Sequence, residues 1–143
     1  MFFPVDRHVQ AWKERASARL GTVSRVLRHH LYLTAVDPVT GEVKKSVHLR
    51  YPNYSGTLAT AGGLIFLSLL DGTVTAYDDT TLDELWKVNT GSGFSAPPMT
   101  FEVNGKQYLA IASGPSTAAK NKLVNTPELK EQRNATVLYV FAL

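Results

Sequence analysis

From residue 31 onward, apolar and polar positions alternate in short runs separated by turn residues. The runs are 31–36, 41–49, 56–60, 63–69, 72–77, 84–89, 99–103, 106–112 and 136–143. Gly62-Gly63, Asp71-Gly72 and Asn104-Gly105 stand between them and supply the positive φ that tight hairpins need. Along 73–78, Val74, Ala76 and Asp78 alternate with Thr73, Thr75 and Tyr77, the period of two that marks a strand. Many short strands with evenly spaced turns predict an all-β body: a sandwich, a barrel or a propeller.

Residues 4–28 follow a different period. Pro4 suits a first helical turn, and Val5, Val9, Trp12, Ala16 and Leu20 recur at spacings of three and four. Arg7, Lys13, Arg15 and Arg19 fall mostly outside that stripe. The spacing predicts a basic amphipathic α-helix. Such a helix covers an exposed core face, lies on a membrane surface, or meets a partner. The chain therefore divides into an N-terminal extension, 1–30, and a β body, 31–143. The polar segment 115–134 interrupts the strand rhythm; within it Thr126 as N-cap and Pro127 after it predict a helical turn.

One phrase occurs twice. Ala35, Asp37, Thr40 and Gly41 recur 41 residues later as Ala76, Asp78, Thr81 and Leu82, and Lys45 aligns with Trp86. Small Ala lets sheets approach, Asp and Thr bond back to a tight turn, Gly takes a left-handed residue, and Trp packs as a flat anchor between sheets. A period of about 40–45 residues fits a four-stranded propeller blade. Spacing alone leaves propeller and sandwich both open.

Charge narrows the function classes. Six of the 15 Lys/Arg lie in residues 1–30, against two of the 12 Asp/Glu, so the net +3 belongs to the extension and the body is near neutral. A near-neutral body argues against nucleic acid as a partner. With no cysteine, neither a disulfide framework nor a thiolate metal site is available. No apolar run reaches the ~18–20 residues that cross a bilayer, and residues 1–15 lack the apolar centre and cleavage site of a signal peptide. His29-His30 point to opposite faces of a strand and do not chelate together; His8 and His48 are lone. The Asn53-Tyr54-Ser55 and Asn134-Ala135-Thr136 sequons are short enough to arise by chance.

The repeated Ala-x-Asp-x-x-Thr-Gly-x-x-x-Trp phrase, with 33–44, 51–114 and the closing 138–143, resembles the C-terminal end of the quinoprotein methanol/ethanol dehydrogenases, which use pyrroloquinoline quinone (PQQ). The resemblance covers about residues 31–143. It implies about two to three four-stranded antiparallel blades of a β-propeller with tryptophan-docking repeats. It implies alcohol oxidation by PQQ, assisted by calcium or a lanthanide, in the complete enzyme, and a periplasmic setting for the family. The family's catalytic aspartate and metal carboxylates lie upstream of the matched stretch, so no catalytic or metal residue carries over. Asn53-Tyr54-Ser55-Gly56 stands where the family has Asn-Trp-Gly-Gly at the cofactor rim, and Gly114 falls in a second rim loop. The resemblance thus marks Asn53, Tyr54, Ser55 and Gly114 as cofactor-binding candidates. Two functions follow: a propeller portion catalytically incomplete by itself, or a non-catalytic assembly module. The second associates with itself, or with a larger dehydrogenase subunit, through exposed blade edges.

Overall fold

Every alternating run in the body becomes a strand. The computed structural model describes residues 2–4, 21–27, 30–114, 126–129 and 135–143. Its strands are β1 (Phe2–Pro4), β2 (Gly21–Leu27), β3 (His30–Val36), β4 (Val43–Leu49), β5 (Thr57–Ala59), β6 (Leu64–Ser68), β7 (Thr73–Asp78), β8 (Glu84–Asn89), β9 (Met99–Val103), β10 (Lys106–Ser113) and β11 (Val137–Ala142). Three sheets form, with orders β2-β3-β4, β5-β6-β7-β8 and β1-β11-β10-β9. All neighbours are antiparallel except β1 and β11. This is compatible with part of a propeller. A single turn of 3-10 helix at Pro127–Leu129 marks the expected helical turn, with the Leu129 amide donating to the Thr126 carbonyl at 3.1 Å.

The N-terminal α-helix expected over 4–28 is not found among the described residues. Gly21–Leu27 is instead strand β2, paired with β3 from Gly21↔Val36 to Leu27↔His30, and Pro4 closes β1, paired with Ala142. Thr22, Val23 and Val26 are β-branched and stiff in a helix. Antiparallel pairing with β3 satisfies alternate backbone groups along the strand, and that long-range pairing outweighs local periodicity. The remaining positions of the expected stripe, 5–20, lie outside the described residues.

The core sits between the sheets. Along β6, Leu64 and Phe66 face the third sheet, where they meet Phe94, Leu109, Ile111, Tyr139 and Phe141. Ile65 and Leu67 face the first sheet and meet Leu33, Ala35 and Leu49. Every residue of β6 and β7 is buried. The second sheet is therefore the middle layer, apolar on both faces, which explains why β6 reads as a continuous apolar run.

The repeat is structural as well as textual. Asp37 Oδ1 accepts from the Val39 and Thr40 amides at 2.9 and 3.0 Å; Asp78 Oδ1 accepts from the Thr80 and Thr81 amides at 2.8 and 2.7 Å. The Thr40 and Thr81 hydroxyls accept from the amides of Glu42 and Asp83. Both copies carry a bulge, between Ala35 and Val36 and between Ala76 and Tyr77. Gly41 has φ of 74° and Leu82 φ of 52°. A left-handed leucine costs about 1–2 kcal/mol; Leu82 is held there by burial in the core between the first two sheets. Trp86 pairs with Ala76 and sets its ring edge-on to Phe141 of the third sheet, centroids 5.3 Å apart. Lys45 pairs with Ala35 in the first copy and sends its Nζ to Asp83 Oδ1 at 3.1 Å. Tryptophan and lysine thus bridge to the next sheet by different means, one by area and one by charge.

Two outcomes follow. Trp86→Ala lowers unfolding free energy by about 3–5 kcal/mol, whereas Lys45→Ala barely moves the urea midpoint, because an exposed pair is screened by water. The amides of Thr40 and Val39 hold the Asp37 carboxyl below its ordinary 3.8, and the Thr81 hydroxyl and Lys45 hold Asp83 below 3.8. A depressed carboxylate stabilises fully above its unfolded pKa and loses that contribution as pH falls through the folded value. Urea midpoints therefore decline as pH drops below about 4, and Asp37→Asn, which keeps the acceptor oxygen, shows a shallower decline.

Candidate functional site

The two candidate cofactor segments lie at one end of the sheets, and the Asp-anchored turns lie at the other. Strand β5 begins where β6 ends, with Thr57 opposite Leu67, so residues 53–56 share an end with the turn 69–72. Backbone bonds continue from there across the sheets. The Leu70 amide donates to the Pro52 carbonyl at 3.1 Å, the Phe94 amide to Leu69 at 3.2 Å, and the Gly114 amide to Gly93 at 3.1 Å. The structure thus joins the Asn53 and Gly114 loops into one rim, although 60 residues of chain, 54–113, lie between those two positions.

The rim is tightly held. Asn53 Oδ1 accepts from the Ser55 and Gly56 amides at 3.0 and 2.8 Å, and its Nδ2 donates to the Gly56 carbonyl at 3.1 Å. This is an Asx turn, in which the side chain replaces a backbone partner. The buried Ser55 hydroxyl donates to the Ser68 carbonyl at 2.9 Å and accepts from the Ser68 hydroxyl at 2.6 Å. Gly114 contributes no side chain. Tyr54 is 40% exposed and projects from the turn. Of the four candidates, only Tyr54 has a side chain not already committed to the fold. The set does not by itself make a quinone site: it offers one aromatic wall and no convergent donors. Among the described residues no three His, Asp or Glu side chains gather as a metal site.

Sequence reasoning missed two features nearby. The first is Gly72, with φ of 94°. A Cβ there would stand 2.8 Å from the Ser92 amide nitrogen and 3.0 Å from that of Gly91; only glycine lets the 69–72 turn approach the 90–94 loop. The Asp71-Gly72 pair carried the signal for the turn but not for this approach. The second is a cleft of about 320 Å3 between the first and second sheets, lined in part by His48, Arg50, Tyr51, Asp71, Glu84 and Lys87. Its charges are mixed: Lys87 Nζ lies 2.8 Å from Glu84 Oε1, and the Arg50 guanidinium sits 5.3 Å over the Tyr51 ring. Burial, and then the Glu84 carboxylate, push the Tyr77 phenol above 10.0. The cleft favours neither sign of ligand, and none of the four rim candidates lines it. No local pattern announces it, because its walls come from strands of two sheets.

The family described as "Glucose/ethanol/alcohol dehydrogenase, beta-propeller domain", a PQQ family, matches residues 28–109, more than half of the chain. A quinoprotein ethanol dehydrogenase of Pseudomonas putida is 41% identical over 105 residues, covering 71% of this chain and 17% of that protein. Subunit 1 of a cytochrome c methanol dehydrogenase of Paracoccus denitrificans is 44% identical over 82 residues, covering 57% of this chain and 13% of that protein. Among solved structures, a europium-containing methanol dehydrogenase superposes with a TM-score of 0.66 at 31% identity, covering 79% of this chain and 23% of that one. The quinohemoprotein alcohol dehydrogenase of Comamonas testosteroni superposes with a TM-score of 0.56 at 39% identity, covering 59% and 13%. The chain spans about a sixth of the length of the Pseudomonas relative.

The rim depends on the approach at Gly72. Gly72→Ala destabilises the fold by about 1–3 kcal/mol through left-handed strain and the clash with Ser92, measured by urea unfolding. An unchanged midpoint contradicts the close approach.

Proposed function

The chain belongs to the PQQ-dependent glucose/ethanol/alcohol dehydrogenase β-propeller family, and from that premise we propose that its sheets are blades of an alcohol-oxidising quinoprotein and do not complete the reaction alone. The observation that carries this reading is the doubled Asp-anchored turn at a 41-residue offset. Each copy ends in a side chain that crosses to the next sheet, Lys45 to Asp83 and Trp86 to Phe141. Two such crossings in series support a repeated blade over a closed sandwich. In the whole enzyme PQQ, when bound, would supply the hydride-accepting chemistry of alcohol oxidation. What this chain supplies is a stiff rim: the Asn53 turn and the Gly114 loop, with the Tyr54 ring as the wall toward the cofactor. Holding a planar cofactor needs more groups than the rim offers, which is why turnover depends on the rest of a propeller.

A second reading, an assembly module, rests on the outer face of the third sheet. Met99, Phe101, Val103 and Leu138 are 58%, 37%, 48% and 61% exposed there, and exposed apolar faces mark association.

The test is direct. Purified chain is mixed with PQQ, calcium or a lanthanide, ethanol and an artificial electron acceptor. The expected result is no dye reduction above a protein-free control; sustained reduction contradicts the proposal.

A further inference from the structure

We infer that strand β9 is a self-pairing edge, through which two copies of this chain associate about a two-fold axis at Phe101. Among the described residues β9 has β10 as its sheet partner and leaves its other side open. The other edge strands are short or carry a basic residue: β1 and β5 have three residues each, β2 carries Arg25, β4 carries Lys44 and Lys45, and β8 carries Glu84 and Lys87. β9 reads Met-Thr-Phe-Glu-Val, with no lysine or proline.

Its free backbone groups are fixed by the hairpin. Asn104 and Gly105, with φ of 52° and 74°, form the two-residue turn to β10, whose flanking pair is Val103↔Lys106. The pair beside such a turn exchanges both of its hydrogen bonds, and bonded pairs then alternate along the strand. Val103, Phe101 and Met99 therefore bond toward β10, while Thr100 and Glu102 present their amides and carbonyls to the open edge.

The side chains fit a second copy of the same strand. With Phe101 on the axis, Met99 lies opposite Val103 of the other copy, and Thr100 opposite Glu102. Apolar residues meet apolar ones, and a hydroxyl meets each carboxylate. No like charges face each other, which satisfies the pairing rule for antiparallel strands. Phe101 already stacks on Tyr108, rings 5.3 Å apart and 16° from parallel. The pairing therefore joins two such stacks into one continuous apolar surface. This inference rests on β9 and not on the quinone assignment, so its failure leaves the family reading intact.

The absence of native cysteine gives a register-specific test. Phe101→Cys places two thiols across a non-hydrogen-bonded pair, with Cα atoms about 4.5 Å apart and within disulfide reach. Glu102→Cys does not place its thiol opposite itself. Under mild oxidation, Phe101→Cys is expected to give a covalent dimer on a non-reducing gel and Glu102→Cys to remain monomeric. In sedimentation velocity the native chain is expected to be dimeric. Thr100→Pro, which removes an outward amide but none toward β10, is expected to be a folded monomer by circular dichroism; Leu138→Lys, on the same face but away from the edge, is expected to stay dimeric. A monomeric native chain, equal cross-linking of the two cysteine variants, or a dimer lost only in Leu138→Lys overturns the inference.

Discussion

A β-sheet with apolar side chains on both faces requires a neighbour on each side, and the β5–β8 sheet imposes that requirement on everything around it. Ile65 and Leu67 need the first sheet; Leu64 and Phe66 need the third. Burial of each such side chain contributes about 1.5–3 kcal/mol, and only side-by-side stacking satisfies both sets at once. The Asp-anchored turns, the bulges and the crossing side chains serve that stacking. They fix where each outer strand leaves its partner and which residue reaches the next sheet.

Much of this was legible because the repeat is local. Asp37 and Asp78 each bond amides two and three residues ahead, so a short window of sequence contains the whole turn. The alternation in 73–78 likewise marked a strand, and all nine runs of the body appear as β3–β11. The N-terminal helix failed for the complementary reason. Val5, Val9, Trp12, Ala16 and Leu20 have helical spacing, but Gly21–Leu27 takes its conformation from β3, a partner that periodicity within one window does not see. The β-branched Thr22, Val23 and Val26 were the available warning.

The candidate site was legible in placement and not in detail. The resemblance put Asn53 and Gly114 near a common rim, and backbone bonds through Leu69, Leu70, Gly93 and Phe94 link them. What sequence could not give is the state of each polar atom. Asn53 and Ser55 look like ligand-binding groups as letters, yet their oxygens serve the turn and the neighbouring strand. The rim and the blade-locking turns occupy opposite ends of the sheets. Residues that hold the sheets together are thereby separated from the candidate rim residues, and Tyr54 can be varied without touching the stack.

The stacking of successive blades is tested most directly by a double-mutant cycle on Trp86 and Phe141, each replaced by leucine, read by urea unfolding of the four proteins. Edge-to-face rings in contact across the two sheets give a coupling energy of about 0.5–1.5 kcal/mol. Strictly additive effects, with no coupling, would mean that the two rings do not meet and that the second and third sheets are not neighbouring blades.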